Sequence, residues 1–307
     1  MGRMPRRRLP PMIALLVTTV AVSLPLAACA PNAGSPTPTA PSTPDGLSVS
    51  IKQGRLDVVG HRLVVRFEND GDHDVAVDGF VVETPTLDDG LVRTEPFEVA
   101  AGGALDIRLD LPASRCDDEP GPVVVTFDWR TAVEGDAPTD SGRASGALTA
   151  DDPFDTVARV NAADCLAESV ADVATIVMPE HLRSTGAGAD RRAFIDVVVE
   201  PVASGDTTMR IERISGTTLL NAEDGIDWTL GVDVAAGAAP MTLSLPVRPA
   251  RCDAHAIADD KRGTILPFEI TASDGRAGRL DVPSSDGLKA ELYAYYGERC
   301  GLAVPAG

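Results

Sequence analysis

The chain has 307 residues, with 46 acidic side chains against 27 basic ones and a formal charge of −19. That length is a prior for about two domains of ordinary size. A surface of this sign repels polyanions, which excludes nucleic acid as an expected partner.

Residues 1–28 read as an export signal: a basic start (Arg3, Arg6, Arg7, Arg8), an apolar run from Met12 to Leu24, then small residues. Pro25 ends the apolar run well short of the roughly 20 residues that a membrane span needs. Removing this segment leaves 23 basic residues against 46 acidic, a charge of −23. The segment closes on Leu26-Ala27-Ala28-Cys29, which resembles the lipobox of bacterial lipoproteins. The resemblance implies lipidation of Cys29, cleavage before it, and anchoring at the outer face of the cell membrane. Two or three acyl chains on one residue hold stably where a single chain holds weakly. Residues 29–45 follow as anchor and linker, with five prolines among Ser, Thr, Ala and Gly. Such a segment favours extended polyproline geometry, about 3.1 Å per residue.

The rest is organised by an internal repeat offset by about 135 residues. Asp89 to Gly102 aligns without gaps on Asp224 to Gly237, with seven identities in fourteen positions. Leu111 to Asp117 matches Leu245 to Asp253 after a short insertion, and Cys165 and Cys300 keep the offset. In the first unit, apolar runs predict strands at Leu47–Ile51, Leu63–Phe67, Val75–Val82, Ala104–Leu109, Val123–Phe127 and Thr156–Val160. In the second they fall at Val173–Met178, Phe194–Val199, Met209–Ile214, Trp228–Val234, Met241–Leu245, Ile265–Ile270 and Leu288–Tyr296. Ala162 to Ala174 is the best helical candidate. This predicts an all-β chain: two tandem homologous immunoglobulin-like antiparallel β-sandwich domains, at 46–168 and 169–303.

Four cysteines besides Cys29 allow three disulfide connectivities in an oxidising compartment. The repeat selects Cys116–Cys165 and Cys252–Cys300, which puts one bridge at the same place in each unit.

The four histidines form no pair at a metal-ligand spacing, no G-x-S-x-G occurs, and no phosphate-binding glycine motif is present. No metal, cofactor or catalytic residue is therefore expected. Asp70-Gly71-Asp72-His73-Asp74 places acidic groups at alternate positions, as a calcium loop does, but Val75 and Val81 occupy the sixth and twelfth positions where an EF-hand needs Gly and Glu. It reads as a polar turn. Asp253 and His255 share one face of an extended segment, with Asp259 beyond, and form the one candidate carboxylate–imidazole pair. The segment Arg251 to Ala256 and Asp259 to Thr264 resembles uncharacterised secreted lipoproteins of high-GC Gram-positive bacteria. Read as a strand, Tyr293 and Tyr295 point outward together, as stacking residues for a sugar or peptide do, while Trp129 and Trp228 are expected in the core.

The expected function is a non-catalytic binding, scaffolding or accessory role in the cell envelope, toward a cell-wall polymer or another envelope protein. One alternative is an envelope enzyme or metal carrier using Asp253, His255 and Asp259. Copper carriage is disfavoured by the wide separation of Met178, Met209 and Met241. Another is a solute-binding transporter subunit.

Overall fold

The computed structural model describes residues 42–131, 143–258, 260 and 262–302. Cys29, the export signal, most of the linker and Asp259 lie outside these residues. The first module runs β1 (Leu47–Lys52), α1 (Arg55–Val59), β2 (Arg62–Asn69), β3 (Val75–Glu83), β4 (Leu91–Arg93), β5 (Phe97–Val99), β6 (Gly103–Asp110), β7 (Val124–Thr131) and β8 (Ala144–Thr149). Helix α2 (Thr156–Ala171) follows. The second module comprises β9 (Ala174–Val177), β10 (Arg183–Thr185), β11 (Arg192–Pro201), β12 (Thr208–Ile214), β13 (Leu220–Ala222), β14 (Trp228–Ala235), β15 (Met241–Pro249), α3 (Ala254–Ala258), β16 (Ile265–Ala272), β17 (Ala277–Pro283) and α4 (Asp286–Arg299).

The chain is mostly β, and every strand pair inside its sheets is antiparallel. In the first module the order β1-β2-β6 faces β4-β3-β7-β8, with β5 also on β3. The second repeats the plan: β10-β11-β15-β13, with β9 on β11, faces β14-β12-β16-β17. Even an irregularity is duplicated. The register slips between Val77 and Gly79 on β3 and between Ile211 and Arg213 on β12, in strands that hold the same central place.

Each sandwich encloses its own apolar interior. In the first, Phe67 lies 5.1 Å from both Phe80 and Phe97 and 6.2 Å from Phe127. Phe97 and Phe127 meet Phe67 edge to face, and Phe80 meets it at a tilt. The second is built on Ile195, Val197, Ile211, Ile214 and Phe268, joined by Leu288, Leu292, Tyr295 and Tyr296 of α4.

Two expected strands are helices. Leu288 to Tyr296 belongs to α4, whose N-cap Ser285 accepts a hydrogen bond from Leu288 N. Its buried large side chains, Leu288, Leu292, Tyr295 and Tyr296, recur at i, i+4, i+7 and i+8, the stripe of a helix packed on one side. Thr156 to Val160 opens α2, where the Asp152 carboxylate accepts from the backbone N–H groups of Thr156 and Val157 at 2.8 and 2.9 Å. An acceptor placed there satisfies donors that the first turn leaves open. The expected boundary at 168/169 therefore falls inside a helix. Val157 lies in the first interior, and Leu166 and Val170 lie in the second. One helix thus belongs to both cores. No helix among the described residues is long and apolar enough to cross a membrane.

Candidate functional site

The two modules meet along α2 and a pair of neighbouring hollows that share Arg262. One, of about 470 Å³, is walled by Arg55 of the first module and by Thr218, Arg251, Asp253, His255, Asp260 and Arg262 of the second. The other, of about 340 Å³, runs between α1, α2 and β17 and contains His61, Asp164, Arg279 and Asp281. A larger hollow, about 650 Å³, lies elsewhere on the open face of the β4-β3-β7-β8 sheet. Its main charged feature is Asp78, closed on by Arg130 at 3.3 Å and Arg143 at 2.6 Å.

Arg55 reaches the intermodule cleft because α1 is fixed from beneath. Asp57, buried, accepts from Gly54 N at 3.0 Å and from Arg108 Nε at 3.1 Å, with Arg62 at 3.8 Å. This ties the helix to β2 and β6 and leaves Leu56 and Val59 more than half exposed, Val59 lining the second hollow.

The opposite wall hangs from tyrosines. Tyr296 donates to the carbonyl of Arg251 and accepts from the N–H of Asp253 at 3.2 Å, so the segment carrying the second disulfide is pinned to α4. Tyr293 donates to Asp260 Oδ2 at 2.8 Å, while Oδ1 of the same carboxylate accepts from Gly263 N at 2.6 Å. Burial, and then the neighbouring Asp260, push the Tyr293 phenol above its ordinary value, so it stays a proton donor. Tyr295 is fully buried and donates to the carbonyl of Val247 at 2.7 Å. Tyr293 and Tyr295 are therefore not an outward stacking pair. The helical period turns Tyr295 into the core and engages the hydroxyl of Tyr293 with Asp260, so only Tyr293 supports the cleft from behind. Trp228 is buried as expected, but Trp129 is only half-buried, with Nε1 donating to the Ser42 carbonyl at 2.9 Å.

Asp253 and His255 do come together, 3.3 Å apart through Nδ1, and the His255 backbone N–H also donates to the same carboxylate oxygen at 3.0 Å. That backbone bond, followed by the imidazole, holds the Asp253 carboxyl below its usual range. The ring itself is almost wholly in solvent. Both anticipated cysteine pairs are joined: Cys116–Cys165 with Cα atoms 5.4 Å apart, and Cys252–Cys300 with 5.2 Å. Each bridge fastens the segment after the last strand of the β1 or β9 sheet to the helix that closes its module.

Sequence reasoning missed a second polar constellation. His61 Nε2 lies 3.0 Å from Asp164 Oδ1, and Ser114 Oγ donates to Asp164 Oδ2 at 2.7 Å. These are the residue types of an acyl-transfer triad in the wrong order, because the carboxylate stands between hydroxyl and imidazole. A hydroxyl is activated there only when the imidazole takes its proton. The left-handed backbone of His61 (φ 48°), sparsely populated by residues with a Cβ, aims the ring at α2. In the turn at Asp70 to Asp74, the Asp74 carboxylate accepts from Ala101 N at 2.8 Å, and buried Asn69 donates to the carbonyls of His73 and Val99. Among the described residues no three His, Cys, Asp or Glu side chains gather as a metal site.

No protein-family model matches this chain, and no curated protein matches it. Among solved structures, red sea bream transglutaminase aligns over 80% of this chain and 32% of its own, at 11% identity and a TM-score of 0.21. The chain thus spans about a third of that enzyme. A Porphyromonas gingivalis W83 protein of unknown function aligns over 72% of this chain and 90% of its own, at 15% identity and a TM-score of 0.18. The CBD12 segment of CALX1.2 covers 69% and 73%, at 12% identity and a TM-score of 0.18. Scores this low transfer no function to the present chain.

Proposed function

We propose that this is a lipid-anchored cell-envelope protein with a non-catalytic binding role, carried on Cys29 and a proline-rich linker and presenting the intermodule cleft to its ligand. The observation that carries the reading is that one cleft is walled from both modules, by Arg55 on one side and Arg251, Asp253 and Arg262 on the other. Helix α2, packed into both interiors, supports a fixed spacing between those walls. A binding role is favoured over catalysis because the two imidazoles nearest the cleft bond carboxylates, not hydroxyls or thiols. Two disulfides agree with an extracytoplasmic location.

Metabolic labelling with an alkyne analogue of palmitate tests the anchor. Wild-type chain takes up label and sediments with membranes, whereas Cys29→Ala does neither. Equal labelling of the two chains, or membrane attachment that survives the substitution, refutes the anchor.

A further inference from the structure

The described residues include twenty arginines in a chain rich in acid, and nearly all of them find a carboxylate, a hydroxyl or a carbonyl. The guanidinium groups of Arg55, Arg213 and Arg251 alone make no hydrogen bond, ion pair or ring contact among those residues, Arg251 feeling Asp253 only at longer range. Two of these three line the same cleft. Their origins differ, since Arg55 stands on α1 of the first module and Arg251 precedes the second disulfide.

The acidic groups of the cleft are already engaged. Asp260 accepts from Gly263 N, Arg262 N and Tyr293 Oη, and Asp253 is held by His255. Arg262 is paired with Asp281. An entering molecule therefore meets, beside Thr218, two guanidinium groups that have no partner among the described residues. Guanidinium forks match a carboxylate in a bidentate way. The nearby Asp253 and Asp260 oppose a doubly charged anion and leave room for a single negative charge. The volume, about 470 Å³, lies in the range of small-ligand sites.

We infer that the intermodule cleft binds a singly charged carboxylate, such as the C-terminus of a short peptide, through Arg55 and Arg251. This deepens the binding role proposed above and rests on it. The two fail separately, because carboxylate binding is read in solution and anchoring by lipid labelling.

The test is calorimetric titration of the full chain in neutral detergent with N-acetyl-alanyl-alanine, its C-terminal amide, acetate and inorganic phosphate. The free acid is expected to bind and the amide to bind at least about tenfold more weakly, as loss of a charge-assisted contact predicts. Arg55→Gln and Arg251→Gln are each expected to weaken the acid by about tenfold or more, with Arg213→Gln unchanged. Acetate binding as tightly as the peptide assigns the seat to small monocarboxylates, and tighter peptide binding assigns it to chain ends. Melting curves check the fold of each variant, and Arg55, exposed on α1 of the other module, remains informative if Arg251→Gln unfolds. Equal binding of acid and amide, tighter binding of phosphate, an equal loss in Arg213→Gln, or no binding by folded protein at about 10 mM overturns the inference.

Discussion

Arg276, in the turn between β16 and β17, donates through Nη2 to the backbone carbonyl of Cys116 at 2.9 Å, a bond from the second module to the disulfide loop of the first. Its Nη1 reaches Ser169 Oγ of α2 at 3.0 Å and Asp274 Oδ2 at 3.1 Å, and Ser169 donates to Asp274 at 2.6 Å. One guanidinium thus clasps the turn, the shared helix and the neighbouring module. Arg276→Ala is expected to cost about 1.5–3 kcal/mol, the range for losing bonds to a charged group. Amide hydrogen exchange is expected to quicken in the second half of α2 and around Cys116. Unchanged protection there would show the clasp to be incidental.

Asp57, on α1, is the one buried acid among the described residues, and it faces Arg62 and Arg108. Asp57→Ala leaves those guanidinium groups and Gly54 N without their acceptor, at an expected cost of about 1–3 kcal/mol in urea unfolding. Since the same carboxylate seats the helix that carries Arg55, carboxylate binding is expected to weaken in the folded variant. Binding that stays at the wild-type level would mean that α1 keeps its place without Asp57.

The disulfides close loops of 49 and 48 residues. The chain-entropy relation gives roughly 4 kcal/mol for a loop of that size, as an upper guide. Replacing Cys116 and Cys165 with serine is expected to lower the melting temperature by several degrees and to loosen α2 from the first module. Replacing Cys252 and Cys300 is expected to free the segment that holds Arg251. A double replacement that melts with the wild-type chain would contradict this view.

Glu223 receives both terminal nitrogens of Arg299, at 2.7 and 2.8 Å. These hydrogen bonds, against the opposing effect of burial, hold the Glu223 carboxyl below its ordinary 4.5. A depressed folded-state value means that the stabilisation is complete above about pH 4.5 and is lost as pH falls through the lower folded value. Acid unfolding followed by circular dichroism is therefore expected to be less steep in Glu223→Gln below pH 4.5, with lower stability at neutral pH. An unaltered acid limb would show that Arg299 stabilises the protein in another way.

The long strands were legible in the sequence because burial alternates along them, as in β11, where Ala193, Ile195, Val197 and Val199 are buried in turn. The duplication was legible for the same reason and because its cysteines keep their spacing. Helix α4 was misread through a coincidence of period. Leu288, Leu292 and Tyr296 lie an even number of residues apart and so satisfy both a two-residue and a 3.6-residue repeat. The burial of Tyr295, at an odd position, decides for the helix. Strands β4, β5, β10 and β13 are three residues long and too short to carry a pattern. The Asp253–His255 pair was visible because its members are neighbours in sequence. Arg55 was invisible as part of the same cleft, because it lies in the opposite half of the chain and nothing local marks a guanidinium that lacks a partner.

Helix α2 lends its first turn to one interior and its second half to the other, which has a mechanical consequence. A pull applied between the N-terminal end and the second module does not fall on a slack connector that extends before either module feels it. It is shared by two hydrophobic interiors and by the Cys116–Cys165 bond, so the modules are expected to yield together, in a single high-force event.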